Sequence, residues 1–209
     1  MSDNGMNELE RLITGAGDAT SYARGYAAHV ASLLEHLDVL AVGRLADLLV
    51  KARAAGRTVF LAGNGGSAAT ASHWAIDLMH GTAAAGSPPL RAISLADNMA
   101  AVTAIANDRD FAGVFSEQLE KLLQPQDVLV VISASGNSPN VIRAVEYANA
   151  HGATTVGVLG FDGGRLKGLC HMALVVPTAH GEYGPVEDVH LVLNHILTTW
   201  LKARCASIR

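Results

Sequence analysis

Cysteine is scarce in this 209-residue chain. Cys170 and Cys205 are the only two, spaced neither as a metal-binding pair nor as a disulfide framework. A reducing cytoplasm is the expected compartment. Aromatic residues are also few, at 5%. Base is not in surplus: 15 Lys and Arg stand against 19 Asp and Glu, a net charge of −4, so nothing predicts nucleic-acid binding. Apolar runs are no longer than a strand needs, which excludes a transmembrane helix. Met1-Ser2-Asp3-Asn4-Gly5 has neither a basic nor an apolar region, so no signal peptide is expected. Three motifs are missing or incomplete. Gly63–Thr70 lacks the Gly-Lys-Ser/Thr of a phosphate-binding P-loop, and no serine sits in a Gly-x-Ser-x-Gly elbow. Gly63-x-Gly65-x-x-Ala68 fits the dinucleotide fingerprint only formally, because no acid ends the next strand about 20 residues on.

What the chain does have is apolar content of 50% and 21 glycines, enough for a sizeable core in a tightly packed α/β protein. One domain over residues 1–209 is expected, with residues 1–56 as an N-terminal helical arm and 57–209 as the α/β core. In the arm, apolar residues recur at helical spacing through Leu9–Ile13 and Tyr22–Leu34, then from about Leu37 to Gly56. That arm is too apolar for a solvated tail and should cover the domain, a partner subunit or both. After Gly56 the pattern alternates. Strands are expected at Thr58–Ala62, Leu90–Leu95, Asp127–Ile132, Thr154–Leu159 and His171–Pro177. Helices should follow the first strand to about Met79, then cover Met99–Ala106, Phe111–Leu123, Ser138–His151, a short stretch to Leu169, and Val186–Ala206. Gly81–Pro89 reads as a small-residue loop. Such alternation predicts a doubly wound five-stranded parallel sheet with helices on both faces.

The strongest local signal is Val128–Ile132 running into Ser133-Ala134-Ser135-Gly136-Asn137-Ser138-Pro139. A buried strand leads to a serine-rich turn, then to a helix start with Ser138 as N-cap and Pro139 at the first helical position. Hydroxyls and backbone N–H groups collect at the positive end of a helix, an anion cradle without lysine or arginine. Gly63-Asn64-Gly65-Gly66-Ser67 has the same design after the first strand. Ligands of such sheets bind at the carboxyl ends of the strands, so both loops point to a small phosphorylated ligand.

His73 and Asp77 share a helix face one turn apart. Glu187, Asp188, His190 and His195 lie on the final helix. Imidazoles and carboxylates are zinc ligands and proton carriers. Spacing alone also allows an ordinary intrahelical pair at His73 and Asp77, and acids that merely complement the dipole at Glu187 and Asp188.

Taken together, Gly63–Ala69, His73, Ala104-Ile105-Ala106-Asn107-Asp108, Ile132–Ser138, Gly160-Phe161-Asp162-Gly163-Gly164 and Glu187-Asp188-Val189-His190 leading to His195 resemble the SIS domain superfamily. Within it they are similar to the phosphoheptose isomerases. The resemblance covers most of the chain and implies a flavodoxin-like fold, a cytoplasmic homotetramer with interfacial sites, and one zinc per subunit. It implies isomerisation of sedoheptulose 7-phosphate to D-glycero-D-manno-heptose 7-phosphate through an enediol, in heptose biosynthesis. It puts the sugar phosphate on Ser133, Ala134, Ser135 and Ser138. It puts Asn64, Gly65, Gly66, Ser67, Asn107, Asp108 and Glu187 around the substrate. Zinc ligands correspond to His73, Asp77, Glu187 and His195, and the acid/base groups to Asp77 and His195; Glu187, a carboxylate where the family has an amide, could take over the base role. Three positions depart from the family pattern: Asp77 stands for glutamate, Glu187 for glutamine and Ala134 for threonine. The resemblance leaves two other roles open. One is a different sugar phosphate as substrate. The other is a non-catalytic phosphosugar-binding or replication-initiator-binding module.

Overall fold

The computed structural model describes residues 6–83 and 88–207. The Met1–Gly5 stretch and the centre of the Gly81–Pro89 loop lie outside the described residues. Three helices come first: α1 (Glu8–Gly15), α2 (Ala19–Glu35) and α3 (Val39–Ala54). Each is capped by an acceptor side chain on its first-turn amides, Asn7, Asp18 and Asp38 respectively. Alternation follows: β1 (Thr58–Ala62), α4 (Gly65–Gly81), β2 (Arg91–Ser94), α5 (Met99–Asp108), a 3₁₀ turn (Phe111–Gly113), α6 (Ser116–Leu122), β3 (Val128–Ser133), α7 (Pro139–Ala150), β4 (Thr154–Gly160), α8 (Gly164–Leu169), β5 (Met172–Val176) and α9 (Tyr183–Ser207).

All five strands are parallel, in the order β2-β1-β3-β4-β5. This is the flavodoxin-like winding, which reverses direction between β1 and β3. The central strands are buried on both faces, as their continuous apolar runs require. On one face Leu45, Leu49, Trp74, Leu78, Leu193 and Leu197 of α3, α4 and α9 cover the sheet. On the other, Leu119, Val141 and Val145 of α6 and α7 cover Phe60, Leu129 and Val131.

Two elements differ from the sequence expectation. The helical stretch at Phe111–Leu123 is broken after Gly113, the weakest helix former within it. The last helix begins at Tyr183 rather than Val186. Pro185 is tolerated there because the first turn needs no intrahelical N–H donor.

The arm docks on the head of α9 through polar contacts. The buried Glu182 carboxylate accepts from the Glu8 amide at 2.7 Å and faces His29 Nε2 at 3.1 Å. The Tyr26 hydroxyl donates to Asp188 at 2.7 Å. Burial first, then Asp188, holds that phenol above its usual range. Val39 and Leu40 at the start of α3 stay exposed, as do Ile196 and Trp200 of α9. Burial pushes the Cys170 thiol up to about 12, which keeps it protonated at neutral pH. No helix among the described residues is long and apolar enough to cross a membrane.

His190 is fully buried, and neither ring nitrogen makes a well-formed hydrogen bond to a described residue. Desolvation lowers its pKa to about 4, opposed weakly by the Leu159 backbone. The unfolded chain therefore binds more protons than the native state between about 4 and the ordinary value of 6.5. Stability should be full above pH 6.5 and fall towards pH 4, by up to about 3 kcal/mol from this group. Urea unfolding across that range should show a flatter acid limb in His190→Leu. An identical limb would assign the loss to other groups.

Candidate active site

The winding reversal between β1 and β3 opens the crevice in which the two signal loops meet. Their relative position is held by a reciprocal amide pair. Asn64 Nδ2 donates to Asn140 Oδ1 at 2.9 Å, and Asn140 Nδ2 to Asn64 Oδ1 at 2.8 Å. Inside the serine loop the Gly136 amide donates to Ser133 Oγ at 3.1 Å and the Asn137 amide to Ser135 Oγ at 3.3 Å. Gly136 turns at φ +64°, and a Cβ there would stand 2.0 Å from the Gly163 carbonyl oxygen. Only glycine fits this approach. Below the loop, Phe161 at φ +52° packs with Ala134 and Val186, a strained residue held by its burial.

These contacts frame a cleft of about 120 Å³ lined by Asn64, Ser67, Ser133, Ser135, Ser138 and Glu187, with Ala134 and Tyr183 at its wall. Ser138 is the N-cap of α7, yet its hydroxyl makes no capping bond, which leaves it to the cleft. Among the described residues, no lysine or arginine lines the cleft. Glu187 enters from α9 and lies over Gly66, where a Cβ would meet its carboxylate at 2.2 Å. Burial first, and the Asp188 charge second, hold the Glu187 carboxyl above its ordinary range.

A second cleft of about 330 Å³ lies farther along the same helix pair, lined by His73, Asp77, His80, His195, Thr199 and Lys202 among others. The helices α4 and α9 run in the same direction: Gly66 meets Glu187 near their starts, and Asp77 meets Asn194 farther along. His73 Nε2 is 3.3 Å from Asp77 Oδ2, and His195 Nε2 is 3.9 Å from the same oxygen. The two imidazole rings cross edge-on, 5.1 Å apart. All three side chains are partly exposed, so they are open to a ligand.

One nitrogen or oxygen from each of these three residues lies within 4.8 Å of the others, as close as ligands of one cation must be. Two imidazoles and a carboxylate, with a fourth position open to the cleft, fit a zinc ion. Glu187 is not in this group. Eight residues before His195 on one helix, it is displaced by about 12 Å of rise and faces the serine cradle instead. The chain thus brings three of the four expected metal ligands together, and the fourth into the serine-lined cleft. Asn107 and Asp108 are exposed at the end of α5, bonded to each other at 2.9 Å, and line neither cleft. Gly65 turns at φ +52° at the start of α4, beside Gly66.

Sequence reasoning missed Asn140, Asn194 and Tyr183. Asn194 did leave a signal, since it is a polar side chain next to Leu193 on the apolar face of Val189, Leu193 and Leu197. Asn140 and Tyr183 left none, because their partners come from distant segments.

Residues 23–160 match the family model described as the SIS domain. The chain is 45% identical to the phosphoheptose isomerase of Nitratiruptor sp. over 141 residues, 68% of this chain and 74% of that one. It is 40% identical to the phosphoheptose isomerase of Trichlorobacter lovleyi over 156 residues, 75% of this chain and 78% of the other. The structure of the phosphoheptose isomerase from Neisseria gonorrhoeae superposes with a TM-score of 0.74 at 30% identity, covering 85% of this chain and 96% of that one. With the flavodoxin-like winding and both loops in place, this chain belongs to the SIS domain family and, within it, to the phosphoheptose isomerases, a family of aldose–ketose isomerases.

Proposed function

We propose that this chain isomerises sedoheptulose 7-phosphate to D-glycero-D-manno-heptose 7-phosphate in the cytoplasm. The observation that carries the reading is the convergence of His73, Asp77 and His195 from two helices on one open cleft. Phosphate binding falls to the cradle: the hydroxyls of Ser133, Ser135 and Ser138, with Ala134 as wall and the start of α7 behind them. Asn64, Gly65, Gly66 and Ser67 shape the other side of the crevice.

Aldose–ketose isomerisation moves a proton between two adjacent carbons and another between their oxygens. Asp77 is the carboxylate placed to take the proton beside the carbonyl, and His195 is the imidazole placed to pass a proton between oxygens, giving an enediol. Glu187, above its ordinary pKa range at the cradle, is the alternative base. His73, Asp77 and His195 would hold a zinc ion, and Glu187 could join them only by moving. When bound, zinc supplies Lewis-acid polarisation of carbonyl and hydroxyl oxygens.

In one chain the cradle and the histidine cluster are separate clefts. In this reading, residues 1–209 work as one domain in a homotetramer, and a neighbouring subunit completes each site. Asn107 and Asp108, exposed and outside both clefts, are the residues offered to that neighbour.

Incubation with sedoheptulose 7-phosphate, with and without added zinc, should yield the aldose. No product under either condition removes the assignment. Ser135→Ala and Ser138→Ala should raise KM about 3–10-fold each with kcat nearly unchanged, the loss of one hydrogen bond apiece. A fall in kcat alone would place these serines at the reacting carbons instead.

A further inference from the structure

Asn194 is fully buried where α9 meets α4, beside Leu193 and Leu197 and one turn from the buried His190 and Thr198. Its Nδ2 donates to Asp77 Oδ2 at 2.9 Å, while its Oδ1 has no partner among the described residues. A carboxylate only accepts, so the amide can face Asp77 in one orientation alone. Packing does not call for an amide here. Leucine has the same branched outline, though a larger volume, and would leave no acceptor stranded. The polar group is therefore explained by what it does to Asp77.

We propose that Asn194 is a positioning residue that aims the Asp77 carboxylate at the His73–His195 pair. Three groups crowd one oxygen: Asn194 Nδ2 at 2.9 Å, His73 Nε2 at 3.3 Å and His195 Nε2 at 3.9 Å from Oδ2. The imidazoles lie at the surface and can turn. Asn194 cannot, because it is enclosed on every side. Pinning Oδ2 from the buried side fixes the carboxylate plane, and with it the direction in which the carboxylate takes a proton or ligates a cation. Outer partners of this kind hold metal ligands and catalytic groups in register. The inference rests on the assignment of Asp77 and His195 to the reacting cleft.

The test compares Asn194→Leu with the unaltered protein in four measurements: Co(II) affinity from the visible spectrum, kcat, KM and the unfolding midpoint. Co(II) affinity and kcat should each fall about 10–100-fold. KM should hold, because the serine cradle is remote, and the midpoint should be little changed, because loss of the stranded acceptor offsets the added volume. Unchanged Co(II) affinity and kcat would overturn the proposal, as would a loss of both explained by unfolding. Should leucine prevent folding, Asn194→Ala removes the N–H without adding volume or charge, and the expected falls in Co(II) affinity and kcat apply to it. Should the unaltered protein neither bind Co(II) nor isomerise the ketose, the functional reading fails on its own. Crystal structures then decide the role of Asn194. An Asp77 carboxylate turned away from His73 in the leucine variant supports it, and one left in place overturns it.

Discussion

Replacing His195 with alanine is expected to lower turnover of sedoheptulose 7-phosphate by about 10²–10⁴-fold, the usual contribution of a positioned acid/base group. The fold should survive. The side chain is 51% exposed, and its described contacts are the edge of the His73 ring and the Asp77 carboxylate. Surface substitutions of this kind change stability by about 0.5 kcal/mol or less. The backbone carbonyl that accepts from Thr199 Oγ1 remains in the variant. Steady-state kinetics and thermal unfolding on one preparation separate the two effects. Unfolding in parallel with lost activity would make His195 a packing residue. Retained turnover would remove it from the chemistry.

Gly136→Ala should cause the largest loss of stability of any single methyl addition in the cradle. Positive φ costs about 1 kcal/mol for a residue with a side chain. The added carbon would also stand 2.0 Å from a backbone oxygen of Gly163, which has no flexible end to move away. Overpacking of this type costs about 1–3 kcal/mol. The sum is about 2–4 kcal/mol, or a midpoint lowered by about 4–16 °C for a chain of this size. Relief of the clash must separate the serine loop from the β4–α8 turn. That movement breaks the bond from the Leu166 amide to the Gly136 carbonyl, 3.0 Å in the native fold, and raises KM. Gly43→Ala is the control, because a Cβ at that helical position meets nothing within 4 Å. It should be neutral or slightly stabilising. Equal midpoints for the two variants would show that the cradle is looser than its contacts imply.

The path from sequence to site was uneven for reasons visible in particular residues. Val128–Ser133 and Pro139–Ala150 were legible because strand periodicity, a turn rich in serine and an N1 proline are all local signals. The start of α9 was not, since Gly184 and Pro185 look like a stop until the helix is seen to accept proline in its first turn. His73 and Asp77 could be paired by spacing, because one helical turn joins them. Their meeting with His195 could not, because more than a hundred residues intervene.

What the sequence determined by itself is what the chain encodes over a few residues: alternating strands and helices, two anion-ready loops and the kinds of side chain able to move a proton. Family likeness extended this to a list of candidate positions. Only the tertiary structure decided which of them meet. The parallel approach of α4 and α9 puts His195 beside Asp77 but leaves Glu187 two turns away at the serine-lined cleft. It also buries Asn194 against the carboxylate. Helix phase decides which side chains share a face, but the relative height of two packed helices depends on the whole core between them, and no local stretch of chain encodes that height.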